Sequence, residues 1–399
     1  MPNSVIKWPA IAARILRERV ALAGLLQAFI FGLIANGTIH AGNFRLTQLG
    51  AGSSFIGYAT ALQALGIVCA APLLVLLTQR ARPANLALTA GGLAALGFVG
   101  SFLASGWAAI AAARFVLGCG IGLGMAFVEY LVVSQVRRDV RPVFAMLFGL
   151  LLAAGHALGT LLTGQTSQPF VLAVLAAAIL GGTFATAPWG RLRHHRQVLS
   201  FKELPHIVAI SPAVFAAAAL FGFLDNGFLS MLPDILQTAG QAKTQTILTS
   251  FIAFAGICAF QIPAGLLCLR VAPYPLLRFT VLMLIVAVMM LAMVTSTVAL
   301  RGPTVFVLGG LVDLVYTVGL ITLSNAVPRS QMVMSNACFV SFCGLGEVAG
   351  PAVTGPALGA LGAGGAIGVV LFLLAAFWFF SAYREIPPAK DLRHVGHTA

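Results

Sequence analysis

Arg114, Glu129, His156, Asp225, Asp313 and Glu347 are titratable side chains set inside long apolar runs. A charged group at the centre of a membrane-spanning helix costs about 2.5–3.5 kcal/mol on insertion scales, so each needs a partner or a task. Carboxyls in such places can take up and release protons, an arginine can hold an anion, and histidine titrates in the physiological range. Asp313 lies about ten residues into its apolar run, which at roughly 1.5 Å rise per residue puts it near mid-membrane and makes it the first candidate for a substrate or proton site, the alternative being a buried partner for Arg114. Arg114 is about seven residues in from the start of its run. It can serve coupling or anion binding, or can snorkel its head towards the nearer surface. Glu129 sits near Arg80, Arg137 and Arg138, where a salt bridge at a gate is the natural reading.

Two of these groups occupy matching places in a repeat. Gly155-His156-Ala157-Leu158-Gly159-Thr160-Leu161-Leu162-Thr163-Gly164 returns 191 positions later as Gly346-Glu347-Val348-Ala349-Gly350-Pro351-Ala352-Val353-Thr354-Gly355. Glycines four apart open a groove in which a neighbouring backbone can approach closely, because lipid provides no hydrophobic force and association rests on packing. Each copy is therefore expected to be a packing seam, with His156 in one groove and Glu347 in the other as candidate proton carriers. The repeat extends further: Phe31-Gly32 and Asn36-Gly37 match Phe221-Gly222 and Asn226-Gly227, Gly66 matches Gly256, and Phe115 to Gly118 matches Phe306 to Gly309. Asp225 replaces Ala35 in an otherwise shared motif, which marks it as a specificity element. Asn36 and Asn226 can hydrogen-bond a substrate or tie neighbouring helices.

The elements that position these residues are membrane helices. The chain is 60% hydrophobic and 8% charged, with a mean hydropathy of +1.00, too few charges to cover a soluble surface. Apolar runs of about 20 residues, enough to cross the bilayer core, fall at 20–41, 53–78, 83–104, 107–135, 142–164, 168–188, 206–232, 246–269, 274–297, 303–325, 333–356 and 362–383. The basic N-terminus resembles a signal peptide's, but the run after it is too long and lacks a cleavage site, so it is expected to be the first span. With the N-terminus cytoplasmic, that side collects 19 Lys and Arg residues against three, Arg45, Lys243 and Arg301, on the other. Both termini are thus expected in the cytoplasm, and the net charge of +13 is explained by orientation rather than by nucleic acid. The expected organisation is a basic N-terminus 1–19, a six-helix bundle 20–188, a linker 189–205, a second bundle 206–384 and a tail 385–399. An even number of spans per half makes the copies parallel, with a substrate cavity expected between them.

Six plus six spans with parallel halves and a basic central linker resemble the major facilitator superfamily. Ala113-Arg114-Phe115 with Gly118, Gly120, Gly122 and Gly124 is similar to that family's arginine-and-glycine motif of span 4. Gly155-x-x-x-Gly159 is similar to a span-5 motif of proton-driven exporters, with Thr160 where proline is usual and Pro351 filling that place in the second copy. Gln261-x-Pro263-x-Gly265 with Arg270, and Pro72 with Arg80 and Arg82, resemble the family's loop signatures, although Thr78 and Leu269 stand where an acid is usual. Glu129-Tyr130-Leu131, the run Tyr316 to Leu320 and Gly350-Pro351 resemble a bacterial branch of drug and metabolite transporters. The resemblance implies an all-α membrane protein of twelve helices in two pseudo-symmetric bundles, residing in a plasma membrane (the inner membrane in a bacterium) and working by alternating access as a monomer. It also implies that spans 1, 4, 7 and 10 line the cavity.

Function follows as an expectation. There is no Gly-x-x-x-x-Gly-Lys loop for ATP, so a proton gradient is the expected driving force. Glu347, Asp313 and Asp225 are the proton carriers considered, and Arg114 and His156 complete the coupling candidates. Three acids favour efflux of a small cationic or amphiphilic molecule against protons. Arg114 favours the alternative, symport of an organic anion or metal-chelating metabolite. A non-transporting sensor of the same fold is the remote alternative. The chain shows no His-Glu-x-x-His or Gly-x-Ser-x-Gly, and its six cysteines have no Cys-x-x-Cys spacing, so no enzyme activity, cofactor or metal centre is expected.

Overall fold

A computed structural model describes residues 19–78, 83–135, 141–165, 204–268, 271–294, 298–327 and 332–383. The expected span 168–188 and the basic termini lie outside the described residues, as does the linker before Leu204. The ordered elements are α1 (Arg19–Gln48), α2 (Ser53–Thr78), α3 (Pro83–Leu103), α4 (Trp107–Gln135), α5 (Arg141–Gln165), α6 (Leu204–Ile210), α7 (Pro212–Gly222), a π-helical turn (Phe223–Leu229), α8 (Leu232–Thr238), α9 (Lys243–Cys268), α10 (Pro273–Val294), α11 (Val298–Ala326) and α12 (Met332–Tyr383). No strand occurs among the described residues.

Nine of these helical stretches are long and apolar enough to cross a membrane, and α5 has a shorter apolar core, Leu147–Leu162. The last, α12, is two spans joined across Gly362, whose φ of 66° only glycine adopts without strain. Two expected spans run differently. The first extends to Gln48 instead of residue 41 because Asn43 to Gln48 keep helical geometry until Gly50, at φ 80°, stops it. The expected span 206–232 is broken. Ser211 leaves helical geometry (φ −144°, ψ 61°), Pro212 restarts the helix at a position needing no N–H donor, and the π turn follows.

The helices fall into two compact units: residues 19–51 and 65–165 form one, and 52–64 with 204–383 form the other. In the first unit α1 packs along α5, and α3 along α4. Phe98, Leu117, Ile121 and Phe127 are buried in its core. In the second unit α9 packs on α11, and α12 lies along α7 and the π turn. Ile207, Phe215 and Phe339 fill one core there. The start of α2 belongs to the second unit because Gly57 lies against α12; a Cβ there would reach the Gly355 Cα at 2.9 Å.

The repeated glycines are the seams they were expected to be. In the first unit a Cβ on Gly155 would lie 2.8 Å from the Leu33 nitrogen and 3.1 Å from the Gly32 Cα, and one on Gly159 would lie 3.1 Å from the Gly37 nitrogen. In the second, a Cβ on Gly346 would meet the Phe223 nitrogen at 2.8 Å, and one on Gly350 would meet the Gly227 Cα at 2.7 Å. The obstacles are backbone atoms, so no rotamer change relieves them. The sequence repeat thus corresponds to a repeated packing, α1 on α5 and α7 with the π turn on α12.

Candidate functional site

Each unit buries a polar cluster, and the two differ in sign. In the first, Asn36, His40 and Asn43 share one face of α1, being spaced by four and three residues. Asn36 Nδ2 donates to Thr160 Oγ1 (3.3 Å), which donates to the His156 carbonyl one turn earlier on α5 (2.9 Å). Arg114 comes in from α4 with no exposed surface, and its Nη1 donates to Asn43 Oδ1 at 2.9 Å. Total burial means that its head does not snorkel. Gly42 contributes by lacking a side chain: a Cβ there would sit 3.6 Å from Nη1. His40, 2% exposed, lies within electrostatic reach of both Arg114 and His156.

The second unit gathers the acids. Asp313 projects from α11, and its Oδ2 accepts from Gln261 Nε2 of α9 and from Thr317 Oγ1 (3.3 Å) one turn along its own helix. Glu347 on α12 accepts at Oε1 from the Cys343 thiol (3.7 Å), while its backbone carbonyl accepts from Asn226 Nδ2 (3.2 Å). Asp225 stands in the π turn, within electrostatic reach of both Asp313 and Glu347. The π turn is closed by Ser230, whose N–H and hydroxyl both donate to the Asp225 carbonyl (3.0 and 3.2 Å). Wide turns of this kind are frequent at functional sites.

The expected candidates therefore sort into two groups: Asn36, Arg114 and His156 in one unit, and Asp225, Asn226, Asp313 and Glu347 in the other. Asn36 and Asn226 both tie adjacent helices together. The side chain of Glu129 lies outside the described residues. Four participants escaped the sequence reading: His40, Asn43, Gln261 and Thr317. The spacing 36, 40, 43 on one span and the pair 313, 317 on another are helical-face signals that could have found three of them. Gln261 was visible only as part of a loop signature. Among the described residues no group of three or more His, Cys, Asp or Glu side chains is arranged to hold a metal ion.

Apolar helices of spanning length and a packing repeated in two units define an integral membrane protein, with titratable side chains buried in each unit. The chain belongs to the Major Facilitator Superfamily, whose family model matches residues 20–351. It is a secondary transporter and not an enzyme. The fold is similar to the crystal structure of a D-xylose-proton symporter, with a TM-score of 0.76 at 13% sequence identity, covering 93% of this chain and 98% of that one. It is likewise similar to a mutant of the nucleoside transporter NupG, with a TM-score of 0.75 at 11% identity, covering 91% of this chain and 99% of that one. No curated protein matches the sequence.

Proposed function

We propose that transport is coupled to protons through the carboxyl cluster of the second unit. The observation that carries this reading is that one unit holds three carboxyls within its apolar helices: Asp313 bound by Gln261 and Thr317, Glu347 bound by Cys343, and Asp225 in the π turn. Charging one such group raises the cost of charging the others, so protons and substrate can be exchanged within one network.

Two substrate classes suit this coupling. Efflux of a small cationic or amphiphilic molecule in exchange for protons is supported by the three carboxyls, any of which can hold a cation or a proton. Symport of an organic anion or metal-chelating metabolite is supported by Arg114, a buried cation oriented by Asn43. Efflux needs only the acids of the second unit, whereas symport also uses the buried arginine of the first.

The test begins with ligand-induced thermal stabilisation of the purified protein, since whatever binds the folded state stabilises it by mass action. Tetraphenylphosphonium and a set of organic carboxylates are compared at acid and at neutral pH. A cation that binds less well in acid indicates competition with protons and efflux; a carboxylate that binds better in acid indicates symport. In proteoliposomes, Glu347→Gln and Asp313→Asn are expected to abolish proton-driven accumulation of the ligand so found while leaving its exchange intact. Coupled uptake at full rate in both variants refutes the carboxyl cluster as the proton site.

A further inference from the structure

Arg278 on α10 has no part in the coupling described above, and no carboxyl balances it. Its guanidinium carbon lies 5.4 Å from the centre of the Trp378 ring on α12, a cation–π contact, and its Nε is buried with no hydrogen-bond partner. Among the described residues no ion pair holds it. Between residues 271 and 383 the sequence has two acids, Asp313 and Glu347, and both belong to the cluster of the second unit. A cation set among apolar residues is costly unless an acceptor meets it, and arginine offers donors only. The side chain as a whole is half-buried, so a ligand can reach the part of it that the indole leaves uncovered. The platform itself is fixed: Tyr274 Oη donates to the Ser381 carbonyl (2.6 Å), tying α10 to α12, and Ser381 Oγ donates to the Trp378 carbonyl (2.8 Å).

The depth and the flanks of this cation point to lipid. Arg278 comes five residues after Pro273, the start of α10, or about 7 Å along the helix. That is about the thickness of the headgroup layer on one side of a bilayer. From there one face of α10 stays exposed along its length, through Phe279, Leu282, Val286, Met290 and Met293, at helical spacings of three and four. On α12 Phe372 and Phe379 are exposed as well. The first unit shows that the position looks outward. Its α3 opens at Pro83 as α10 opens at Pro273, and the matching residue 190 positions before Arg278 is Leu88, 56% exposed. The second copy thus has an arginine where the first presents leucine to the lipid.

We propose that Arg278, stacked on Trp378, binds the phosphate of an anionic phospholipid whose acyl chains lie along the exposed faces of α10 and α12. Stacking on the indole orients the planar guanidinium, and its two Nη groups can then grip two phosphate oxygens side by side. The lipid phosphate supplies the negative charge that the chain does not. A free phosphate shares that chemistry but has nothing to place on the apolar faces, whereas a phospholipid uses both. The site is independent of the substrate and of the proton cluster.

The experiment titrates the full-length, delipidated protein in detergent with phosphatidylglycerol, phosphatidylcholine and inorganic phosphate, reading bound lipid by native mass spectrometry and stability by thermal unfolding. Phosphatidylglycerol is expected to bind the parent more tightly than phosphatidylcholine and to raise its melting temperature more. Arg278→Gln should weaken phosphatidylglycerol binding about fivefold or more, the effect of one basic residue at an anionic surface, and leave phosphatidylcholine binding unchanged. Arg278→Lys keeps the charge but loses the fork and the stacking, so it should bind phosphatidylglycerol more weakly than the parent; it carries the comparison if the glutamine variant does not fold. Equal binding of the two lipids by the parent, or phosphatidylglycerol binding unchanged in both variants, overturns the site. Stabilisation by inorganic phosphate as large as that by phosphatidylglycerol overturns the lipid assignment. So does a lipid-free dimer that Arg278→Gln dissociates, which would put a second copy of the chain on this face.

Discussion

Gly346→Ala and Gly155→Ala should destabilise the protein, and Gly92→Ala should stabilise it, although each adds the same methyl group to the interior of a helix. At Gly346 the new Cβ would lie 2.8 Å from the Phe223 nitrogen and as close to the Ala219 carbonyl carbon; at Gly155 it would lie 2.8 Å from the Leu33 nitrogen. Comfortable contact needs more than 3.4 Å. The carbonyl oxygens of Ala219 and Phe29 lie closer still, so the paired helices must part by about an ångström or more, and because the obstacles are backbone the whole seam moves. Overpacking of this kind costs about 1–3 kcal/mol or more. Replacing glycine by alanine within a helix returns about 1 kcal/mol, leaving a net loss of up to about 2 kcal/mol, or more where the overpacking is severe, at the seams. At Gly92 nothing lies within 4 Å of the added methyl, so only the helical gain remains. For units of this size the melting temperature moves by about 2–4 °C per kcal/mol. Thermal unfolding in detergent should show the two seam variants several degrees below the parent and Gly92→Ala slightly above it. Equal shifts at seam and non-seam positions would refute close backbone approach as the reason for these glycines.

Two further substitutions examine the clusters. Asn43→Ala removes the acceptor of a hydrogen bond from a charged group, a loss of about 1.5–3 kcal/mol; the melting temperature should fall and carboxylate binding weaken, and an unchanged melting temperature would show that Arg114 is held by other groups. Gln261→Leu deprives Asp313 of a donor without touching the carboxyl, so proteoliposomes should show fewer protons moved per substrate with exchange preserved, a milder form of the Asp313→Asn defect.

What could be read in the sequence, and what could not, divides on whether a single residue type was required. The seams were legible because close backbone approach admits only glycine on both partners: Gly32 and Gly37 on one helix, Gly155 and Gly159 on the other, and their repeats. The acids were legible because carboxyls in an apolar run are rare. His40 and Asn43 are not, because the apolar run of the first span ends at residue 41, which puts the histidine at an expected boundary and the asparagine beyond it. In the structure α1 continues to Gln48, so both lie on the helix. The hydrogen bond that Asn43 accepts comes from Arg114, 71 positions away, which no local pattern encodes. Gln261 was hidden in the same way, 52 positions from Asp313.

The π turn shows how a local change can use a repeat. Asn36-Gly37 and Asn226-Gly227 match, and both glycines lie against the neighbouring helix, yet α1 remains α-helical through this stretch while the second copy widens from Phe223 to Leu229. The sequences diverge just afterwards. The first copy continues with Thr38-Ile39-His40-Ala41, whereas the second has Phe228-Leu229-Ser230-Met231-Leu232-Pro233. Pro233 has no N–H to give to Leu229 four residues before, and its ring crowds that carbonyl, so the α ladder cannot pass through regularly. The break is taken up upstream by a wider turn, in which Ser230 reaches back five residues to the Asp225 carbonyl. A seam anchored at Gly227 on one side and a proline on the other leave the intervening turn to absorb the mismatch. Asp225, absent from the first copy, lies in that turn, close to Asp313 and Glu347. The carboxyl that distinguishes the second copy thus lies in the turn that distinguishes its backbone.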